Sequence, residues 1–567
     1  DLRHTSYRIL LGVKGEVLNN FEYDVSGQYS TTGLNRIYRN DFSKVRVVRA
    51  LDVVNDPATG APTCQSVVDG TDPFCVPWNI FSAGGVTPQA LSYLQTPGFI
   101  IGNTVEQVLS ASISGTLDDY GMQTPWAKEA VGLVLGTEYR REFSSFEPDV
   151  ALGTGDLTGQ GAPSPSIAGS FDVKEGYTEL RLPVWQGLPY GEELSFELGY
   201  RYSDYSTGAS TDTYKYGVNY APVRDIKFRA GFNRAVRAPN VVELFAPQIV
   251  AIDGSTDPCA GDTPDATAAQ CANDPVIAAN PDLYGNIRAN PAEQYNGLVG
   301  GSTELDPEKA DTFTVGFVLT PTMIKNFSMS VDYYTIKVED FIGGFGADTI
   351  LASCYERGQL CDLIQRDPSN GSLFLGSTGF VVDTNQNTGS QKVNGVDLNI
   401  NYRQRLSDLG LGDVGSLAFE LVGSHVIELK TQPVPGDASS AYNCEGLFGT
   451  QCGAPFPNWR HKFRTTWQTP WYKSSISASW RYFGEVKADG LSVPNNLYKK
   501  VKAQNYFDLY ASARLQEAYS FRVGINNIFD KAPPIVGSGT AGTNGNTYPQ
   551  TYDALGRYMF AGVQMDF

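Results

Sequence analysis

The stretch Leu194-Ser195-Phe196-Glu197-Leu198-Gly199-Tyr200-Arg201-Tyr202 decides the fold. Extended, it puts Leu194, Phe196, Leu198, Tyr200 and Tyr202 on one face and Ser195, Glu197, Gly199 and Arg201 on the other, because successive strand side chains point to opposite faces. The same alternation runs through Phe327–Tyr333, where Phe327, Met329, Val331 and Tyr333 alternate with Ser328, Ser330 and Asp332. It recurs in Gly395–Arg403, with Val396, Leu398, Ile400 and Tyr402 on one face, and in Arg460–Gln468, with Phe463, Thr465 and Trp467 opposite Arg460, Lys462, Arg464 and Gln468. Strands of a soluble sandwich alternate as well. Two features point elsewhere. The runs are roughly 10–13 residues, the length of a tilted membrane strand, where globular strands average about 5–6. The non-apolar face also carries full charges repeatedly, as a wet interior permits. The reading is an all-β, transmembrane, antiparallel β-barrel.

Carried outward, the pattern predicts about seventeen strands, near 7–17, 21–33, 104–117, 130–143, 171–184, 194–206, 211–223, 226–239, 310–321, 327–340, 388–403, 415–430, 457–469, 474–488, 505–515, 519–530 and 551–567. Short connections such as Asn19–Asn20, Arg224–Asp225, Thr322–Asn326, Pro470–Lys473 and Glu517–Ala518 alternate with long ones near 34–103, 144–170, 240–309, 341–387, 431–456 and 531–550. Thr207–Ser210 is short on the long side. Barrels of this kind have short periplasmic turns on one rim and longer extracellular loops on the other. The whole chain, 1–567, reads as one barrel portion. In the strand near 226–239 the parity places Lys227, Arg229, Asn233 and Arg237 toward the lumen and Phe228 and Phe232 toward lipid.

The bulk numbers agree. The 567 residues carry a net charge of −18, which argues against nucleic-acid binding. Mean hydropathy is −0.24, and no run approaches the ~18 apolar residues of a membrane helix. No charged-then-apolar leader is visible at Asp1. The eight cysteines, Cys64, Cys75, Cys259, Cys271, Cys354, Cys361, Cys444 and Cys452, form four sequence-local couples, all in the long connections. Local couples in even number favour disulfides of an oxidising compartment over zinc, since none has C-x-x-C spacing. The expected pairs are Cys64–Cys75, Cys259–Cys271, Cys354–Cys361 and Cys444–Cys452.

Four segments resemble the barrel signatures of the TonB-dependent outer-membrane receptors. Phe232-Asn233-Arg234-Ala235-Val236-Arg237-Ala238-Pro239-Asn240, followed by Glu243-Leu244-Phe245, is the most specific. Leu305-Asp306-Pro307-Glu308-Lys309-Ala310, Val393-Asn394-Gly395-Val396-Asp397-Leu398 and Asn526-Asn527-Ile528-Phe529-Asp530 follow in the family's order. The chain ends Met559, Ala561, Val563, Met565 and Phe567, alternating apolar residues that look like a barrel-insertion signal. The resemblance implies an active transporter in the outer membrane of a Gram-negative bacterium. It also implies TonB as the energising partner, contacted through an N-terminal region. Large transporters close with 22 strands around a plugged lumen, so about five further strands and a plug are expected outside this chain. An odd strand count ending at a periplasmic Phe567 puts Asp1 on the extracellular rim, with the preceding segment a separate fragment or left out.

No phosphate loop, zinc-protease helix or nucleophile elbow is present, and no enzyme activity, cofactor or metal is expected. Gly153–Gly161 reads as a flexible loop, and Asp383-Thr384-Asn385-Gln386-Asn387 is a near miss to a calcium loop, with Thr388 where the Gly belongs. His4, His425 and His461 are scattered. Candidate ligand contacts are Arg237 and Asn240 near the extracellular mouth and Trp78, Tyr284 and Tyr295 in the loops, with Phe81 another loop aromatic. The connection 240–309 is acidic, with Asp253, Asp257, Asp262, Asp265, Asp274 and Asp282 among its acids against Arg288 and Lys309. That field disfavours an anion, though salt screens it beyond roughly 8–10 Å. The cargo leans to an oligosaccharide or other neutral organic nutrient. Ferric siderophores are the alternative, and a passive porin or adhesin is the competing class. Lipid, lipopolysaccharide and an accessory lipoprotein are the further partners expected.

Overall fold

The computed structural model describes residues 1–567 apart from 19, 161, 491–498, 516–517, 538–544 and 566–567. Seventeen long strands form one antiparallel ladder. They are β1 (Leu2–Glu16), β2 (Phe21–Tyr38), β3 (Gly98–Thr116), β4 (Gly132–Pro148), β5 (Ile167–Leu188), β6 (Gly191–Tyr205), β7 (Ser210–Val223), β8 (Ile226–Arg237), β9 (Glu308–Leu319), β10 (Phe327–Glu339), β11 (Ser390–Arg405), β12 (Ser416–Gln432), β13 (Trp459–Gln468), β14 (Ser475–Phe483), β15 (Gln504–Leu515), β16 (Tyr519–Asn526) and β17 (Tyr558–Met565). Each pairs with its neighbours in chain order. The two-residue strand Tyr442–Asn443 extends the far end of β12. The expected strands answer to these one for one.

Boundaries differ where loops borrow or extend strand. The strand expected to reach residue 488 ends at Phe483. Val486–Ala488 pairs instead with Lys500–Val501 and Leu447–Phe448, which makes 484–503 another long connection. The last strand starts at Tyr558, not at 551, because Tyr552 is buried and Asp553 turns back onto Arg481. Asp1 lies on the long-connection rim, its N–H donating to Ile37 O at 2.8 Å. Phe567 falls outside the described residues.

Cross-strand registers sort the side chains into two faces. One hydrogen-bonded row reads Phe228, Phe317, Val331, Leu398, and the next Ile226, Leu319, Met329, Ile400, Leu421. Large apolar groups of this face are exposed, among them Leu109, Ile113, Leu135, Leu198, Phe228 and Val315. A water-soluble sheet buries that face; here it is the one left open, as lipid requires. Aromatics collect at both of its ends. On β13, Trp459 and His461 lie toward the long connections and Trp467 toward the short ones. The eight residue steps from Trp459 to Trp467 span roughly 26 Å along the strand, of the order of the ~25 Å apolar band with aromatic girdles of outer-membrane barrels.

The opposite face is polar and is the inner one, because connecting segments fold back onto it. The helix Val241–Phe245 packs Val241 and Phe245 against Phe171 and Val173 of β5. A Cβ on Gly169 would stand 2.4 Å from the Phe245 ring, so only glycine admits this contact. Ion pairs cross the inner face from strand to strand: Arg229 grips Asp332 with two bonds of 2.7 and 2.6 Å, and Lys227 meets Glu193 at 2.8 Å. The largest buried cluster lies in the connections, not in the barrel wall. The segments between β8 and β9 and between β10 and β11 share a sheet of Ile249–Gly254, Tyr295–Val299, Phe380–Val382 and Ile364–Gln365 over Ile350, Leu351, Tyr355 and Leu373.

Candidate functional site

The four cysteine couples are disulfides in the expected pairing: Cys64–Cys75, Cys259–Cys271, Cys354–Cys361 and Cys444–Cys452. Two of them staple the shared loop layer, whose centre is Arg366. Its guanidinium is fully buried and holds Asp257 through two bonds of 2.7 Å, Asp274 at 2.7 Å, the Tyr355 hydroxyl at 2.6 Å and Gly371 O at 2.8 Å. Asp257 and Asp274 come from one connection and Arg366 from the next, so this network ties two loops into a single body. Nothing in the local sequence around Arg366 announces it, since its acidic partners stand 92 and 109 residues upstream.

The residues expected to meet ligand make packing contacts and hydrogen bonds within the chain. Tyr295 is buried, 4% exposed, with its ring edge-on to Phe374 and its hydroxyl accepting from Asn290 N–H. Burial pushes that hydroxyl's pKa up. Tyr284 packs on the same cluster and donates to Ala266 O. Trp78 packs edge-on to Phe42 beside Cys64–Cys75. Loop aromatics here supply core to segments that have no other: Tyr295 lies within the cluster and Tyr284 packs against it. Phe81 alone of the aromatics singled out stands free, at 95% exposure. Arg237 lies on the inner face near the long-connection rim. It is spent on Glu308, at 2.7 and 2.6 Å, and on Glu243 at 2.9 Å. Asn240 caps the helix Val241–Phe245 in a reciprocal box with Glu243. The Arg-Ala-Pro-Asn segment therefore anchors a loop helix to the barrel mouth.

Asp383 of the near-miss calcium loop also has a structural task. It accepts from Gly346 N–H at the start of the helix Ala347–Arg357, where Asp253 accepts from Ala347 N–H. Burial and the adjacent Asp383 charge push Asp253 up to about 6. Among the described residues no group of His, Cys, Asp or Glu is arranged to hold a metal.

Free polar groups collect elsewhere, on the inner face of β10 to β14. A recess of about 660 Å³ is lined by Ser330, Asp397, Asn399, Ser424, Arg460, Lys462 and Arg481. The register explains this convergence: Asp397 stands opposite Ser424, which stands opposite Arg460, while Lys462 stands between Val422 and Arg481. Arg481 is engaged, holding Asp508 at 2.8 and 2.9 Å and Asp553 at 2.9 and 2.7 Å. Arg460 and Lys462 are exposed and have no hydrogen-bond or ion-pair partner among the described residues. Two unpaired cations one strand-repeat apart, beside Asn and Ser amide and hydroxyl groups, can hold an anionic solute. The alternation in Trp459-Arg460-His461-Lys462-Phe463-Arg464 signalled inward charge, but only pairing on neighbouring strands shows which charges stay free.

Residues 15–528 match the family described as TonB dependent receptor-like, beta-barrel. No curated protein sequence matches this chain. Among solved structures, the ferric enterobactin receptor PfeA of Pseudomonas aeruginosa is similar with a TM-score of 0.59 at 14% identity, over 100% of this chain and 62% of that one. The siderophore receptor PirA of Acinetobacter baumannii gives 0.55 at 14%, covering 100% and 62%. The pyoverdine receptor FpvA of Pseudomonas aeruginosa gives 0.52 at 11%, again covering 100% and 62%. The chain thus spans about 62% of the length of these receptors. With the strand ladder, its exposed apolar face and the family match in hand, the chain belongs to the TonB-dependent receptors and holds their β-barrel domain.

Proposed function

We propose that this chain forms the barrel of an outer-membrane receptor that takes up an anionic solute of the metal-chelate class, with energy delivered by TonB. The observation that carries the cargo reading is the pair Arg460 and Lys462, unpartnered among the described residues and facing the inner recess. The acidity of the connection 240–309 weighs against it less than the sequence suggests, because Arg366 offsets one of the two charges of Asp257 and Asp274, and Arg237 one of the two of Glu243 and Glu308. The similar receptors are named for ferric enterobactin, siderophore and pyoverdine, which agrees with an anionic chelate. A neutral oligosaccharide is the second reading. It rests on acids of that connection with no such cationic partner among the described residues, Asp262, Asp265 and Asp282.

The test is tryptophan-fluorescence titration of the intact receptor with a ferric catecholate and, separately, with a neutral maltooligosaccharide. Arg460→Gln and Lys462→Gln each remove a charge-assisted hydrogen bond of about 1.5–3 kcal/mol, which predicts ferric-chelate binding weaker by roughly 10- to 100-fold. Saturable oligosaccharide binding, or chelate binding untouched by both substitutions, would replace this cargo reading with the second.

A further inference from the structure

Above the apolar band, the outer face carries a row of lysines. Lys337 on β10, Lys392 on β11 and Lys430 on β12 are direct cross-strand partners. Like charges facing each other across a ladder destabilise it, and side chains on neighbouring strands stand only about 4.8 Å apart. The arrangement also takes a specific backbone feature to reach. β12 carries a bulge where the register jumps from Asn394–Glu428 to Gly395–Val426. The extra residue, Ile427, reverses the parity of everything beyond it. Below the bulge His425, Gly423 and Leu421 face outward, opposite Val396, Leu398 and Ile400; above it Glu428 and Lys430 do. Were alternation to run unbroken through Ile427, Lys430 would face inward. Bulges re-aim side chains in this way, next to sites more often than elsewhere.

The row sits at the level of the membrane surface. Lys337 is two residues before the end of β10, Lys392 two after the start of β11 and Lys430 two before the end of β12, all at the long-connection rim. Four to six residues lower on the same face come Tyr333, Val331, Val396 and Leu398 of the apolar band. Local acids answer part of the charge. Glu339 takes Lys337, Glu428 takes Lys392 at 3.0 Å, and Asp311, next in the row, is taken by Arg234 at 2.7 and 2.5 Å. Lys430 is exposed and has no partner among the described residues. Each paired lysine ammonium also has further N–H donors. What remains is a cationic notch that faces lipid just above the hydrocarbon.

We propose that Lys337, Lys392 and Lys430 bind the phosphate of a phosphorylated lipid headgroup in the leaflet next to the long connections. A free solute anion has no reason to be held on the lipid-facing side; an anchored phosphate lies at that depth, and its charge offsets the lysine–lysine repulsion.

The intact receptor in phosphatidylcholine nanodiscs, with and without bisphosphorylated lipid A, supplies the test. Amine acylation read by mass spectrometry should fall at Lys430, Lys392 and Lys337 when lipid A is present. Native mass spectrometry should show lipid A retention weakened about fivefold for each lysine changed to Gln, and unchanged by Lys14→Gln at the opposite rim. Should the triple variant fail to fold, the wild-type acylation pattern decides alone. Equal acylation with and without lipid A overturns the site. Protection by inorganic phosphate in plain phosphatidylcholine discs also overturns it, since that identifies a soluble anion as the ligand.

Discussion

Arg366 shows how far single residues determine the loop layer. Removing one member of a buried charge network leaves its partners unpaired, at a cost of about 3–5 kcal/mol. Arg366→Ala is therefore expected to unfold the layer locally while leaving the strand ladder intact. Hydrogen exchange at Ile350–Tyr355 should accelerate by orders of magnitude, with protection of β13 and β14 unchanged; uniform acceleration across both regions would argue against a separate loop body. Asp253 makes the same layer sensitive to pH. Its folded-state pKa is raised from 3.8 to about 6. Its stabilising contribution is thus complete below about pH 4 and is lost as pH rises through about 6. Exchange protection of the Gly346 and Ala347 amides, which donate to this carboxylate pair, should fall over that window. Asp253→Asn, whose amide can donate to Asp383 at any pH, should flatten the profile; a wild-type profile that is already flat would rule the linkage out.

At the scale of elements, the sequence was most legible where one rule governs a long run. Period two in Leu194–Tyr202 or Phe327–Tyr333 survives because each strand has one lipid face and one wet face along its length. It failed at strand ends such as Phe483 and Tyr558, where loop packing competes with the ladder, and it gave no sign of the bulge at Ile427, which is a property of two strands together. Cysteine couples were legible because short loop closures dominate their pairing. The surroundings of the loop aromatics were not: loops from two parts of the chain bury Tyr295 and pack against Tyr284, a consequence only the tertiary fold reveals. The bulge yields a prediction of its own. Deleting Ile427 restores simple alternation and leaves Glu428 and Lys430 facing outward, since Glu428 then follows His425 at a spacing of two. A membrane-impermeant cysteine probe at position 430 should still read as lipid-facing, and brominated lipid should still quench a fluorophore placed there. A probe that changes from lumen-facing to lipid-facing on deletion would show that no bulge stands at Ile427.

The whole molecule is ordered by where its apolar surface points. The connections bury their own small cores, each stapled or charge-locked, while the ladder leaves its apolar face open. Among the described residues no pairing joins β1 to β17, so each leaves one side of its backbone N–H and C=O groups unpaired. In hydrocarbon that demands a partner strand, whereas in water it invites association at the edge. The open apolar face is the one that lipid covers in barrels of this family, and its depth can be measured. Trp480 on β14 lies on that face, stacked on Phe507 of β15, with its indole N–H donated to Asn505. Trp467 belongs to the same face at the short-connection end, its indole N–H donated to Val414 O. The Trp467 ring should be quenched by lipids brominated near the headgroup end of the acyl chain more than by lipids brominated at the chain terminus, the order expected for a girdle residue, whereas Trp480, opposite Phe463 midway between Trp459 and Trp467, should be quenched more by the deeper bromines. Trp480→Phe and Trp467→Phe should each remove part of that quenching with little change in stability, since one aromatic replaces another of similar shape and the lost indole bond is worth about 1 kcal/mol. The reverse order, with Trp467 deeper than Trp480, would require a different placement of the band. Absence of quenching by any brominated lipid would show that this face does not meet lipid at all.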